Sequence, residues 1–311
     1  MSAFRKTQTA AKGSRNHLPC ASRRDVLQSA GSAVTLGMLA SAFGAAVPRG
    51  VRAAEDSKSG GGPKPAGGAK SVGGAKTSAG AQAAQAMTIV YPAGPDIKFD
   101  ADYYRDHHLK LIMSLYGSSI KRFELRTVPP NAAPAIQPAP GAPPPPKFSA
   151  AVNIWIADLE AFNANNAKHG PELVADVPHF TNAQPTIQFD EVHGMMGEPA
   201  SAMKVGDTCF TILYPNSEGV RWDVDYYRTH HMPLIMRLYG EKAIKRFELR
   251  KGATGQTGGP PPYIGSVNIY INDQKSFDAA GAEHGKTLVA DVPHFSSVMP
   301  IAFPTTIRGV A

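Results

Sequence analysis

The sequence predicts an α+β chain built from two ferredoxin-like βαββαβ units, and three observations predict it. A fifteen-residue stretch occurs twice, YYRDHHLKLIMSLYG at 103–117 and YYRTHHMPLIMRLYG at 226–240. The segments that follow it recur in the same order: IKRFELR at 120–126 and 244–250, VNIWI at 152 and VNIYI at 267, HGPELVADVPHF at 169 and HGKTLVADVPHF at 284. Within each copy the hydrophobic period alternates between that of strands and that of helices in one fixed sequence. A repeat of about 115 residues is too long for a solenoid and fits a duplicated domain.

Taken from the start, the chain divides into four parts. Residues 1–54 read as an export signal: Ser22-Arg23-Arg24-Asp25-Val26-Leu27 precedes an uncharged stretch, Gln28 to Val47, and then Val51-Arg52-Ala53, which resembles a cleavage site. The paired arginines resemble those of a twin-arginine signal, with Val26 where that class usually has Phe, so the expected partner is the twin-arginine machinery and the expected location periplasmic or secreted. An ordinary secretory signal or an N-terminal anchor is the competing reading. Pro48 and the Gly, Ala and Ser of the apolar stretch argue against a stable membrane span. Residues 55–86 hold Gly, Ala, Ser, Lys, Pro and Gln with almost nothing large and apolar, the composition of a flexible tether. The first copy is placed at 87–198 and the second at 203–311.

The formal charge of +7 comes from the N-terminus, where residues 1–53 carry eight basic residues and one acidic one. Beyond residue 53, 24 basic residues meet 24 acidic ones, so nothing marks a nucleic-acid surface. Cys20 precedes the cleavage point and Cys209 follows it, which leaves the mature chain without a disulfide; Cys209, inside CFTILY, reads as a small buried hydrophobe.

Each element has its own warrant. MTIVY and CFTILY are short β-rich runs that open the copies. Asp100 and Asp223 stand where N-caps belong, before the repeated helix. Tyr104, His108, Leu111 and Leu115 recur at i, i+4, i+7 and i+11, as do Tyr227, His231, Leu234 and Leu238, which predicts one inward helical face. IKRFELR and VNIWI are half-buried or buried strands. A second helix runs from Leu159 or Lys275 toward DVPHF, where Pro178 or Pro293 argues for its end. TIQFDEV and PIAFPTTI supply the last strands. The Pro/Gly-rich inserts between second and third strands are surface loops.

FDxDYY, HMPL, a glycine closing the helix, KRFEL and ADVPHF together resemble the EthD-like family of the dimeric α+β barrel superfamily. The resemblance covers both copies and is fuller in the second, through Asp223, Tyr226, Tyr227, His231, Met232, Pro233 and Leu234; the first has Leu109-Lys110 where Met-Pro is expected. His107 and His230 are additions to the family pattern, and His179 and His294 stand where Asn is commoner. The resemblance implies that the two copies close a barrel within one chain, with a pocket in each.

Eight of the ten histidines fall in four matched pairs, and the βαββαβ order brings the start of the first helix beside the end of the second. His108 and His231 are the leading catalytic candidates, as neutral imidazoles on an inward face able to take a proton from an acidic carbon or phenol. Tyr104 and Tyr227 are the expected hydrogen-bond donors. Asp176 and Asp291, with His179 and His294, are the expected orienting groups, although an Asp before Val-Pro also stabilises a turn. The expected activity is cofactor-independent acid–base chemistry, an isomerisation, cyclisation or oxidation, on a small hydrophobic or aromatic ligand. The alternatives are a non-catalytic barrel that binds a hydrophobic ligand or haem, and a structural barrel in which the first copy has decayed. No cofactor is expected; haem and metal stay open, because histidines with a carboxylate are a ligand set. The polar residues of IKRFELR either line a barrel interior or, for the outermost, serve as edge-strand charges.

Overall fold

The computed structural model describes residues 84–136 and 145–311, so the signal expected over 1–54 and the tether as far as residue 83 lie outside the described residues. The first copy runs β1 (Ala84–Pro92), α1 (101–116), β2 (Ile120–Thr127), β3 (Phe148–Ile156), α2 (Leu159–Asp176) and β4 (Thr186–Gly197). The second repeats it as β5 (Thr208–Pro215), α3 (224–243), β6 (Ile244–Gly255), β7 (Tyr263–Ile271), α4 (Gln274–Phe295) and β8 (Ile301–Val310). The strand β1 begins three residues before residue 87, the expected start of the first copy. Ala84, Gln85 and Ala86 carry no hydrophobic signal, and they are ordered by pairing with Val192, Glu191 and Asp190 of β4.

The eight strands close into one antiparallel barrel in the order β1-β3-β2-β8-β5-β7-β6-β4. Each copy contributes a four-stranded sheet, and the sheets join at two seams. At one, Glu124 to Thr127 of β2 pair with Val310 to Thr306 of β8; at the other, β4 pairs with β6 from Gln188↔Gly255 to Gly197↔Arg246. Closure leaves no strand at an edge. The edge-charge reading of Arg122, Glu124 and Arg126 is therefore corrected: β2 is flanked on both sides, and alternation along the strand turns these residues into the barrel.

The barrel interior is layered. Its middle is charged: Glu124, Arg126, Asp190, Glu248 and Arg250 are all buried. Glu248 accepts from Arg250 Nε at 2.7 Å, from Arg246 Nη2 at 2.8 Å and from Trp155 Nε1 at 3.1 Å, and Arg250 lies 4.6 Å above the Trp155 ring. Glu124 accepts from Tyr270 Oη at 2.9 Å, and Arg126 donates to Asn268 Oδ1 at 2.5 Å. Such a network adds little net stability, but any shifted register would strand a buried charge. Two apolar clusters flank this layer, one around Val90, Phe148, Leu213, Ile301 and Phe303, the other around Met203, Tyr270 and Ile307. Cys209 is buried as expected, but against the charged layer, where Arg126 donates to its Sγ and burial pushes the thiol up to about 11.

The apolar cores lie outside the barrel, between each sheet and its two helices. The helical register differs by one position from the expected face. Leu109, Ile112 and Tyr116 are buried, with Leu111 and Leu115 half-buried, because residues Tyr104–His108 form a π-helical stretch that inserts an extra residue. Leu109 N–H bonds Tyr104 O across five residues, and Met232 N–H bonds Tyr227 O in the second copy, where Met232 and Ile235 are the buried pair. Gly240, at φ 76°, kinks the second of these helices before its last residues.

Candidate active site

The start of each repeated helix is stitched to the DVPHF turn. Asp100 caps α1 by accepting from the backbone N–H of Asp102 and Tyr103, and its own N–H donates to Phe180 O at 2.7 Å. Asp223 caps α3 through Tyr226 N–H, and its N–H donates to Phe295 O at 2.8 Å. Short bridges, Phe99 with Thr181 and Trp222 with Ser296, reinforce each junction. The caps are local, but their backbone bonds reach across the copy, and they bring the π-helical histidine onto the aspartate in the last turns of the other helix.

His108 Nδ1 lies 2.8 Å from Asp176 Oδ2, and His231 Nδ1 lies 2.7 Å from Asp291 Oδ2. With the carboxylate ionised, the proton sits on Nδ1 and the lone pair on Nε2. Among the described residues, nothing hydrogen-bonds to either Nε2. The rings pack at 4.7 Å against Phe180 and Phe295 and at 4.8 Å, edge-on, against Tyr104 and Tyr227. Burial lowers the pKa of both histidines, and the aspartates offset this only in part, so the neutral ring is favoured near pH 7. Burial pushes the Asp176 and Asp291 carboxyls up, but hydrogen bonds from His108 with Tyr103, and from His231 with Tyr226, outweigh it and hold both below the usual range.

The two tyrosines of each YY pair divide their tasks. Tyr104 and Tyr227, the expected donors, are buried, and each hydroxyl faces the phenol of Tyr91 or Tyr214 without closing a hydrogen bond of good geometry. Burial, with Tyr91 or Tyr214 beside them, raises both phenols well above their ordinary pKa, so they remain donors. Tyr103 and Tyr226, absent from the sequence-derived set, donate to the second aspartate oxygen at 2.9 and 3.1 Å. They also stack on His107 and His179, or on His230 and His294, at 4.7–5.7 Å. His179 and His294 are mostly exposed and approach the aspartate carboxylate at 3.3 and 3.1 Å. The sequence signal for Tyr103 was its place in both copies; its bond to an aspartate 73 positions away was not readable.

In the first copy His108 and Tyr104 line a small cavity with Met87, Ile89, Tyr91 and Ile187, a space of about 20 Å³. That is room for about one water molecule. Haem does not fit it: His108 Nε2 is a possible axial donor, but the lining holds no cation for propionates, and drug-sized ligands occupy about 300–1,000 Å³. Among the described residues, no three His, Cys, Asp or Glu side chains gather as a metal ligand set.

Residues 98–184 match the EthD domain. The match falls on the first copy, although the second carries the fuller motif. Among solved structures the chain is similar to an EthD-like protein from Ralstonia eutropha, at 25% identity and a TM-score of 0.30, over 32% of this chain and 91% of that one. It is similar to an anthrone oxidase-like protein at 9% identity and a TM-score of 0.43, over 75% and 94% of the chains. It is also similar to a dye-decolorizing peroxidase from Bacteroides thetaiotaomicron at 12% identity and a TM-score of 0.35, over 74% and 94%. No curated protein matches the chain.

Proposed function

We propose that the chain is an exported enzyme that performs cofactor-independent acid–base chemistry on a small apolar or aromatic molecule. One observation carries this reading. In each copy an aspartate-held imidazole with an unengaged Nε2 stands against a tyrosine whose buried hydroxyl has only a second phenol, Tyr91 or Tyr214, beside it and no well-formed hydrogen bond. An unpaired buried donor is costly, and a ligand oxygen would satisfy it.

In this reading Nε2 of His108 or His231 takes a proton from an acidic C–H or phenolic O–H. Asp176 or Asp291 stabilises the imidazolium so formed, and the Tyr104 or Tyr227 hydroxyl donates to the developing oxyanion. Returning the proton at another carbon gives an isomerisation, use of the carbanion as nucleophile gives a cyclisation, and transfer of its electrons to an external acceptor such as dioxygen gives an oxidation. Tyr103 and Tyr226 hold the aspartates in place. His179 and His294 stand at the exposed side of the carboxylates and help to orient them. A ligand larger than a water molecule requires the cavity to widen, which favours the second copy, where α4 is less sealed. The EthD match and the names of the similar proteins agree with small-molecule chemistry.

The non-catalytic reading draws on the same cavity, whose lining is mostly apolar. Turnover separates the two: His231→Ala abolishes it in the enzymatic reading, while undiminished turnover in that variant removes His231 from the chemistry. Export rests on Arg23-Arg24 and the stretch that follows. Replacing both arginines by lysine blocks export through the twin-arginine route, and continued export of the variant contradicts it.

A further inference from the structure

The two inserts between second and third strands behave differently. In the second copy β6 runs on to Gly255 and lies along β4, pairing Phe189 with Thr254 and Gln188 with Gly255. In the first copy β2 stops at Thr127 and the chain crosses to the other copy instead. There Ala135 N–H donates to Ala302 O at 2.9 Å, and Ile136 packs against the second copy's core.

The cluster that Ile136 joins carries a deficit. Register across the repeat, through Pro185 and Pro300, sets Ile187 opposite Ala302. Ile187 lines the cavity beside His108. Ala302 is three carbons shorter, yet only 1% exposed. Met87, another lining residue, corresponds to Phe210, which packs on the same cluster 5.6 Å from the Phe277 ring. The second site has thus lost one wall from its own copy and stands where Ile136 arrives from the other.

We propose that Ile136 is a wall of the second copy's site, supplied across the barrel by the first copy, and that it sets the size of the molecule that reaches His231. The second site is then complete only in the tandem chain, and the two sites select different ligands although they carry the same histidine–aspartate pair. The proposal rests on His231 as the reactive group of that site, but its test reads access alone and stands apart from turnover.

The test is the rate of carbethoxylation by diethyl pyrocarbonate in the full chain, followed at His231 and His108 by peptide-resolved tandem mass spectrometry. Ile136→Ala raises the His231 rate several-fold and leaves the His108 rate unchanged. Adding Ala302→Ile to Ile136→Ala returns the His231 rate toward that of the parent, which also shows that the chain still folds. An unchanged His231 rate in Ile136→Ala overturns the proposal, as does an equal rise at both histidines or a double variant as reactive as the single one. If His231→Ala leaves turnover intact, the catalytic reading fails while these rates still report on the wall.

Discussion

In the first copy Leu173 and Val174 of α2 are 1% and 5% exposed, whereas their counterparts on α4, Leu288 and Val289, are half-buried and 40% exposed. The cause lies about two and three turns earlier. Tyr116 Oη donates to Asn166 Oδ1 at 2.7 Å and Phe162 packs on the Tyr116 ring at 5.0 Å, so α2 is tied to α1 by a buried hydrogen bond as well as by packing. In the second copy the asparagine is Gly281, and only the ring contact remains, Tyr239 on Phe277 at 4.9 Å. Both copies nevertheless keep the histidine–aspartate distance to within 0.1 Å. Position of the reactive pair is thus set by the helix start and the DVPHF turn, while the cover that the second helix provides differs between the copies. The two properties vary independently, and the second copy combines the fuller family motif with the looser cover.

The widest separation between the copies is expected in turnover. His231→Ala lowers kcat/KM by about 10²–10⁴, the usual weight of a general base, and His108→Ala lowers it far less. Equal losses in the two variants, measured by steady-state kinetics, make the copies equivalent and break the comparison. Stability runs the other way. Leu173→Ala costs about 2–5 kcal/mol by urea denaturation, whereas Leu288→Ala, at a side chain only partly buried, costs less than half as much.

The barrel interior holds a third asymmetry, Asp190 against Thr305. Burial raises Asp190 from 3.8 to about 6, with Arg250 opposing. Because the folded pKa lies above the unfolded one, this group's contribution is fully present below pH 3.8 and is lost as the pH rises through about 6. Asp190→Asn therefore flattens the stability profile between those limits and leaves the protein more stable at pH 7, by at most roughly 3 kcal/mol at ~1.36 kcal/mol per pH unit. Thermal melts from pH 4 to 7 read the slope, and an unchanged slope denies Asp190 a raised pKa. The smallest effect concerns the tie on α2. Asn166→Ala costs about 1–3 kcal/mol by leaving the Tyr116 hydroxyl unpaired, and a neutral result would locate the sealing of the first copy in packing alone.

Much of the fold was legible because its elements announce themselves locally. The alternation in IKRFELR, the caps Asp100 and Asp223 and Pro178, where α2 gives way to a 3₁₀ turn, each report on their own neighbourhood, and duplication let each copy check the other; Pro293 does not end its helix, since α4 runs through it to Phe295. Three features were hidden. An arginine and a glutamate alternating with apolar residues look the same on a solvent edge and inside a charged barrel, so the burial of Glu124 and Arg126 depended on a closure that no single strand encodes. The π-helical stretch was invisible because YYRDHH satisfies the ordinary helical period, yet it shifts the buried face from Leu111 to Ile112. The crossing of Ile136 into the other copy had no signal, since a proline-rich insert has no period to read. The approach of His108 to Asp176, and of His231 to Asp291, was legible in the topology, while the contact of Tyr103 and Tyr226 with the aspartates is a tertiary bond.

The central claim is that each buried histidine is held by its aspartate as a neutral base with a free Nε2. Nitrogen-15 NMR titration of His108 and His231 tests it without any substrate. The account predicts that both rings are Nδ1-protonated when neutral and titrate below 6.5, and that Asp291→Asn lowers the His231 value further by removing the charge that favours the imidazolium. A proton found on Nε2, or titration at or above 6.5, would contradict it.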